Sequence, residues 1–137
     1  MSEAPLISVV DDDESVRRSI SRLMKSVGFR AEDFASAEDF LSSGRPQYSA
    51  CLTLDVQMPG MDGLQLQRHL GTAGYRIPII FITGHSDEKK RDQAIRAGAV
   101  RFLRKPVNED DLFDGIRLAL KCGEDGLTLG RLSRLKT

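Results

Sequence analysis

Short apolar segments alternate with helical patterns five times along this chain, and this alternation restricts the fold more than any other sequence feature. Such repeated units are joined by right-handed crossovers and form an open parallel sheet with helices on both faces. We therefore predict an α/β fold, a five-stranded parallel sheet doubly wound by five helices. Strands are expected at 6–10, 30–34, 51–54, 78–82 and 100–103, and helices at 16–27, 36–42, 64–72, 86–97 and from Asn108 onward.

The length and composition fit one domain. The chain has 137 residues, and Lys plus Arg equals Asp plus Glu at 20 each, so charge gives no reason to expect nucleic acid as a partner. We assign residues 5–121 to the domain and expect residues 122–137 to form a flexible or weakly helical tail. The sequence shows neither a signal peptide nor a membrane-spanning segment, so we expect a cytoplasmic protein with Cys51 and Cys122 reduced.

Polar side chains follow the predicted strands at the points where those strands end. They are Asp11 and Asp12 after the first strand, Asp55 after the third, Thr83 after the fourth and Lys105 after the fifth. In an open α/β sheet the carboxyl ends of the strands share one edge, where the ligand crevice lies. Folding is therefore expected to bring these residues together.

Clustered carboxylates at that edge would repel each other unless a cation lies between them. Mg²⁺ (or Mn²⁺) suits such oxygen ligands, and with the Lys105 ammonium it would balance the charges of Asp11, Asp12 and Asp55. An aspartate can also act as a nucleophile and form an acyl phosphate. Phosphoryl transfer needs mainly positioning and electrostatic stabilisation, which this edge would supply.

Asp55 is the candidate nucleophile because it ends an apolar strand and precedes a sharply bent loop. Pro59, Gly60 and Gly63 bend that loop, which would leave the backbone carbonyl of Gln57 free to face the metal.

Two residues complete the predicted edge. The Thr83 hydroxyl could donate a hydrogen bond to a phosphoryl oxygen. Pro106 fixes the chain direction after Lys105, with a cis peptide bond as one option, and would direct Lys105 across the edge.

The chain resembles a response-regulator receiver domain over about residues 5–121. The resemblance rests on Val-Val-Asp-Asp-Asp-Glu at 9–14, Leu-Asp-Val-Gln-Met-Pro-Gly-Met-Asp-Gly at 54–63, Ile-Thr-Gly-His at 82–85 and Phe-Leu-Arg-Lys-Pro at 102–106. Segments 34–38 and 81–85 are most similar to the nitrogen-fixation regulator (LuxR-type) subfamily. Those receivers usually precede a helix-turn-helix domain, and we expect no such effector here.

The resemblance implies flavodoxin-like topology and a role in two-component signal transduction. Asp55 would be the phosphoacceptor, receiving its phosphoryl group from a histidine kinase or a histidine phosphotransfer protein. Asp11, Asp12, Asp55 and the Gln57 carbonyl would hold Mg²⁺, and Lys105 would pair with the phosphoryl group. The domain would assist only its own phosphorylation and dephosphorylation, so we do not expect an enzyme in the usual sense.

The resemblance also implies a switch. Thr83 would move toward the phosphoryl group, and Phe102 would swing into the vacated space, altering a face that binds a downstream protein target. A phosphorylation-dependent homodimer is one option. Arg101, Arg104 and Val107 depart from the family pattern on that face and put the usual homodimer in doubt.

Simpler interpretations of these residues stay open. Residues 11–13 could form a solvated acidic turn, within which Asp13 is expected to cap the first helix. Thr83 could merely end its strand, and Phe102 could be an ordinary core residue. His69 and His85 are expected to be exposed polar residues, because neither has partners at metal-ligand spacing.

Three other functions compete with the phosphorylation switch. A phosphorylation-independent interaction module would keep the fold without the chemistry. A Mg²⁺-dependent phosphatase with an aspartyl-phosphate intermediate typically needs an acid where Gln57 stands. Direct DNA binding is not expected, because too few residues follow the domain for a helix-turn-helix unit.

Overall fold

A computed structural model describes residues 4–84 and 87–124, with side chains up to residue 121. All strands are parallel and form one sheet in the order β2-β1-β3-β4-β5. The elements are β1 (Leu6–Val10), α1 (Glu14–Ser26), β2 (Arg30–Phe34), α2 (Ala37–Ser42), a 3-10 turn (Pro46–Tyr48), β3 (Cys51–Leu54), α3 (Gly63–Thr72), β4 (Ile79–Thr83), α4 (Glu88–Arg96), β5 (Arg101–Arg104) and α5 (Glu109–Glu124). The predicted five-stranded α/β fold with flavodoxin-like topology is confirmed.

The central strands are buried along their whole length. Every residue of β1, β3 and β4 is buried, whereas β2 and β5 lie at the two edges of the sheet and carry exposed charged residues. Continuous apolar runs are typical of strands covered by helices on both faces. Charged side chains such as Arg104 discourage an edge strand from pairing with another chain.

Successive side chains of a strand point to opposite faces of the sheet, and this divides the core into two layers. Leu52 and Leu54 pack with α2, α3 and α4 in one layer. Cys51 and Ile80 pack with α1 and α5 in the other layer. Each central strand therefore contributes to both cores, which fixes the position of its carboxyl end.

Side-chain caps set several helix boundaries. The Asp13 carboxylate accepts hydrogen bonds from the amides of Ser15 and Val16 at 2.9 and 3.2 Å, which confirms Asp13 as the cap of α1. Asp87 caps α4 in the same way, so that helix runs over Glu88–Arg96 and is shorter than the predicted 86–97.

The predicted tail overlaps the last helix. Helix α5 continues to Glu124, past the predicted domain boundary at residue 121, and residues 125–137 lie outside the described part of the chain. The domain limits and the nature of the tail therefore stay predictions. Within the described residues, no helix has the length and apolar character that a bilayer crossing requires.

Candidate functional site

The acidic residues meet where β1 and β3 end side by side. Val10 is paired with Leu54, and the Asp55 amide donates to the Val10 carbonyl at 3.0 Å, so Asp11 and Asp55 leave adjacent strands at the same level. Asp11 is 2% exposed and Asp55 6% exposed, whereas Asp12 is exposed. Parallel pairing therefore brings two buried carboxylates together at the carboxyl edge of the sheet.

Lys105 reaches this edge from the end of β5. Its Nζ lies 3.0 Å from Asp11 Oδ2 and 3.3 Å from Asp55 Oδ2, so one ammonium bridges both buried carboxylates. The Lys105 amide also donates to the Thr83 carbonyl at 2.8 Å, and the Lys105–Pro106 peptide bond is cis. The prediction that Lys105 points across the edge toward Asp55 is confirmed.

One ammonium does not neutralise this group of carboxylates. Oxygens of Asp11, Asp12 and Asp55 lie within 4.8 Å of one another, close enough to share a single ion. Oxygen donors with carboxylate charge are the ligands that Mg²⁺ and Mn²⁺ prefer. The donor set therefore fits a hard divalent cation, as the sequence predicted. The Gln57 carbonyl as a further ligand stays a prediction.

The electrostatics of the edge follow from burial and from this crowding of charge. Burial, and next the neighbouring Asp11 carboxylate, raise the pKa of Asp55 to about 6, although Lys105 acts to lower it. Partial burial opposes the charge of Lys105, but hydrogen bonds and attraction from Asp11 and Asp55 prevail and raise the pKa of Lys105 above its ordinary value. The edge thus favours additional positive charge.

Backbone contacts orient the two buried acids. The Asp13 amide donates to Asp11 Oδ1 at 2.9 Å, and the Gln57 amide donates to Asp55 Oδ1 at 3.3 Å. The Arg17 guanidinium donates to the Asp11 carbonyl at 3.0 Å and so ties the first turn of α1 to the edge. In each acid the amide binds Oδ1 and Lys105 binds Oδ2, which fixes the orientation of both carboxylates.

The loop after Asp55 folds back tightly onto it. The Gly63 amide donates to the Val56 carbonyl at 2.8 Å, and a Cβ at Gly63 would lie 2.3 Å from the Asp55 carbonyl oxygen. Glu38 on α2 holds the same loop, because its Oε2 accepts a hydrogen bond from the Met61 amide at 2.9 Å. Sequence reasoning used Gly63 only as a bend and assigned no role to Glu38 or to Arg17.

The two predicted switch residues lie on neighbouring strands. Thr83 is 1% exposed at the end of β4, and Phe102 is half-buried on β5, with its ring 5.8 Å from that of Phe81. Their movement on phosphorylation stays a prediction. His69 is exposed, as expected, and His85 lies outside the described residues.

Comparison with known proteins identifies the class. The family model described as "Response regulator receiver domain" matches residues 7–117. The chain therefore belongs to the response regulator receiver domain family of two-component signal transduction. In the sequence, the motifs at 9–14, 54–63, 82–85 and 102–106 indicated the same family.

Individual relatives agree with this membership. The chain is 47% identical to "Response regulator protein TmoT" of Ectopseudomonas mendocina over 116 residues, which cover 85% of this chain and 53% of TmoT. It is 36% identical to "Transcriptional regulatory protein FixJ" of Azorhizobium caulinodans over 120 residues, which cover 88% of this chain and 57% of FixJ. The chain thus spans little more than half the length of these relatives. The predicted similarity to nitrogen-fixation regulators is confirmed.

Solved structures show the same relationship. The structure titled "Low Resolution Structure of Response Regulator StyR" superposes with a TM-score of 0.83 at 41% identity, over 97% of this chain and 65% of that one. The structure titled "Crystal structure of FixJ-N" superposes with a TM-score of 0.78 at 35% identity, over 88% of this chain and 96% of that one.

Proposed function

We propose that this receiver domain is a Mg²⁺-dependent phosphorylation switch whose phosphoacceptor is Asp55. The phosphoryl donor is a histidine kinase or a histidine phosphotransfer protein in the cytoplasm. The observation that supports this most directly is the bridge from Lys105 Nζ to Asp11 and Asp55, at 3.0 and 3.3 Å, beside a carboxylate group able to share a divalent ion.

The transfer step follows from the positions of these groups. An Oδ of Asp55 attacks phosphorus, an O–P bond forms as the P–N bond to the donor histidine breaks, and the released imidazole takes a proton from solvent. Asp11, Asp12, Asp55 and the Gln57 carbonyl would hold the metal ion, which would supply charge neutralisation for the transferred phosphoryl oxygens. Lys105 leaves its ion pair with Asp55 and pairs with a phosphoryl oxygen instead.

Burial of Asp55 serves this chemistry. The carboxylate is only 6% exposed, so little bulk water competes for it, and its raised pKa of about 6 still leaves it ionised at neutral pH. Mg²⁺ held beside Asp55 would stabilise the ionised form further, because a cation beside a carboxylate lowers the carboxylate pKa. The nucleophile is therefore ready when the donor docks.

The output of the switch is a change on the face formed by α4, β5 and α5. Thr83 moves toward the phosphoryl group, and Phe102 moves inward beside Phe81. The altered face binds a downstream protein target or a second copy of the chain. Arg101 and Arg104 on β5 add positive charge to that face.

Reaction with a small phosphodonor tests the proposal. Incubation with phosphoramidate and Mg²⁺, followed by intact-mass measurement, is expected to add one phosphoryl group to the parent and none to Asp55→Asn. The exposed Asp114→Asn is the matched control and is expected to react like the parent. Omission of Mg²⁺ should abolish the gain in mass.

An unmodified parent under these conditions would overturn the proposal in favour of an interaction module that works without phosphorylation. Continuous hydrolysis of an aryl phosphate would instead indicate a phosphatase. A mass gain that persists in Asp55→Asn would show that another residue is the acceptor.

A further inference from the structure

The backbone that carries Gln57 belongs to the connection between β3 and α3, residues 55–62. The C-terminal end of this loop is fixed by a capping box at the start of α3. Asp62 Oδ1 accepts from the Gln65 amide at 2.8 Å, and Gln65 Oε1 accepts from the Asp62 amide at 2.9 Å. The N-terminal end of the loop is fixed by the hydrogen bond that the Gly63 amide donates to the Val56 carbonyl. Residues 57–61 lie between these two attachments.

Glu38 holds this middle portion from outside. Glu38 Oε2 accepts a hydrogen bond from the Met61 amide at 2.9 Å, and this bond is the main reason why the pKa of Glu38 lies below its ordinary value. Gly60 has a φ of +74° and leaves room for the carboxylate, because a Cβ there would lie 2.7 Å from Glu38 Oε2. Glycine at position 60 therefore suits the contact between Glu38 and Met61 in two ways: it adopts a positive φ without strain, and it has no Cβ to clash with the Glu38 carboxylate.

The helix that carries Glu38 is itself firmly placed. Ala37 and Phe40 on α2 are 0% exposed in the core layer beneath it, and the Phe40 ring packs edge-on against Phe34 at 5.3 Å. Ser36 caps the helix by accepting from the Asp39 amide at 3.0 Å. Glu38 therefore extends from a fixed backbone, so its hydrogen bond restrains the loop more than the helix.

We propose that Glu38 is a positioning residue for phosphorylation. By holding the Met61 amide it keeps residues 57–61 in the conformation that presents the Gln57 carbonyl to the metal. This inference rests on the proposed function. Glu38 does not touch the metal or the phosphoryl group, and its effect passes through the loop backbone. Groups that orient metal ligands in this indirect way commonly matter for metal affinity.

A matched set of variants on α2 tests the proposal. Glu38→Ala removes the hydrogen bond to Met61, Glu38→Gln keeps an acceptor oxygen of the same reach, and Asp39→Ala removes a neighbouring exposed carboxylate from the same helix turn. Both alanine variants lose one negative charge in the first turn of α2, so their effects through the helix dipole should be similar. The Mg²⁺ dissociation constant is measured by calorimetry, and the rate of phosphorylation by intact mass.

Glu38→Ala is expected to weaken Mg²⁺ binding about three- to tenfold. This is less than the loss of about 10- to 100-fold typical of groups that contact a metal ligand directly, because Glu38 acts through the loop backbone. Its phosphorylation rate should fall in proportion at low Mg²⁺ and recover at saturating Mg²⁺. Glu38→Gln should lie within about twofold of the parent, since an amide oxygen can also accept from Met61. Asp39→Ala should match the parent in Mg²⁺ affinity.

Hydrogen exchange gives an independent measurement. Exchange at the Met61 amide should become about tenfold faster in Glu38→Ala and stay unchanged in Asp39→Ala, because only the first loses the acceptor. Equal Mg²⁺ affinities in Glu38→Ala and Asp39→Ala, with an active parent, would overturn the inference alone. A parent that neither binds Mg²⁺ nor accepts phosphate would overturn the proposed function and the role of Glu38 together.

Discussion

The last residues of strands β1 and β3 and the residues that directly follow them are similarly buried but have opposite chemistry. Val10 and Leu54 are each 1% exposed, and the next residues, Asp11 and Asp55, are 2% and 6% exposed. Burial of an apolar side chain stabilises the fold, whereas burial of a carboxylate costs free energy unless a partner compensates. Within one residue, β1 and β3 each pass from a region where burial stabilises the domain to one where burial costs free energy.

Deletion of apolar volume next to the site should have the largest effect on stability. Leu54→Ala removes a buried side chain from the core between β3, α2 and α3, and is expected to lower the free energy of unfolding by about 3 kcal/mol. Urea denaturation measures this loss. Leu23→Ala, at a partly buried position on α1, is the control and should cost clearly less. Equal losses at both positions would contradict the comparison.

Neutralisation of Asp55, the residue after Leu54, should change the free energy of unfolding in the opposite direction. Asp55→Asn is expected to raise the free energy of unfolding by about 2 kcal/mol at neutral pH without Mg²⁺. The rise of the Asp55 pKa from 3.8 to about 6 corresponds to about 3 kcal/mol, and solvent screening reduces this gain. The measurement is urea denaturation in the presence of a chelator. Asp39→Asn on the exposed side of α2 is the control and should gain nothing.

The same pKa fixes the pH window of this gain. The folded chain keeps a proton on Asp55 up to about pH 6, whereas the unfolded chain releases it near the ordinary aspartate pKa of 3.8. The folded state therefore binds more protons between these values, and the contribution of Asp55 to stability decreases as the pH rises through that window. The advantage of Asp55→Asn should vanish below about pH 4 and be constant above about pH 6–7. A gain that is independent of pH would contradict this origin.

Sequence reasoning predicted the acidic edge because that edge depends only on topology and on the residue type at the end of each strand. Parallel strands bring their carboxyl ends together, so Asp11, Asp55 and Lys105 could be assigned to one site from the sequence. The contact of Glu38 with Met61 could not be predicted in this way, because the two residues are 23 positions apart in the sequence and meet through a side chain. The close approach of Gly63 to the Asp55 backbone could not be predicted from the sequence either.

Helix ends show the same limit on a smaller scale. The sequence predicted a charged helix at 86–97, but the first residue of α4 depends on which polar side chain accepts hydrogen bonds from the helix amides, and Asp87 does so. A pattern of apolar residues carries no information on that choice, since Ser, Thr, Asp and Asn are all competent caps.

Addition of Mg²⁺ should reduce the difference in stability contribution between the apolar strands and the acidic edge. An ion bound among Asp11, Asp12 and Asp55 stabilises only the folded chain, by about 1.4 kcal/mol when the ion is present at about ten times its dissociation constant. Urea denaturation with and without Mg²⁺ measures the difference. Asp12→Asn removes an exposed ligand without altering the core and should lose most of the increment. An equal Mg²⁺ effect in Asp12→Asn would place the ion elsewhere.

The smallest effect is expected where charge is exposed. Arg18 and Glu14 form an ion pair on α1 at 2.9 Å, with side chains 60% and 62% exposed. Water screens such a pair, so Arg18→Gln should lower the free energy of unfolding by no more than about 0.5 kcal/mol, and high salt should remove the difference. Urea denaturation at low and high ionic strength measures it. A loss comparable to the Asp55→Asn gain would mean that burial does not distinguish the exposed ion pair on α1 from the charged carboxyl edge of the sheet.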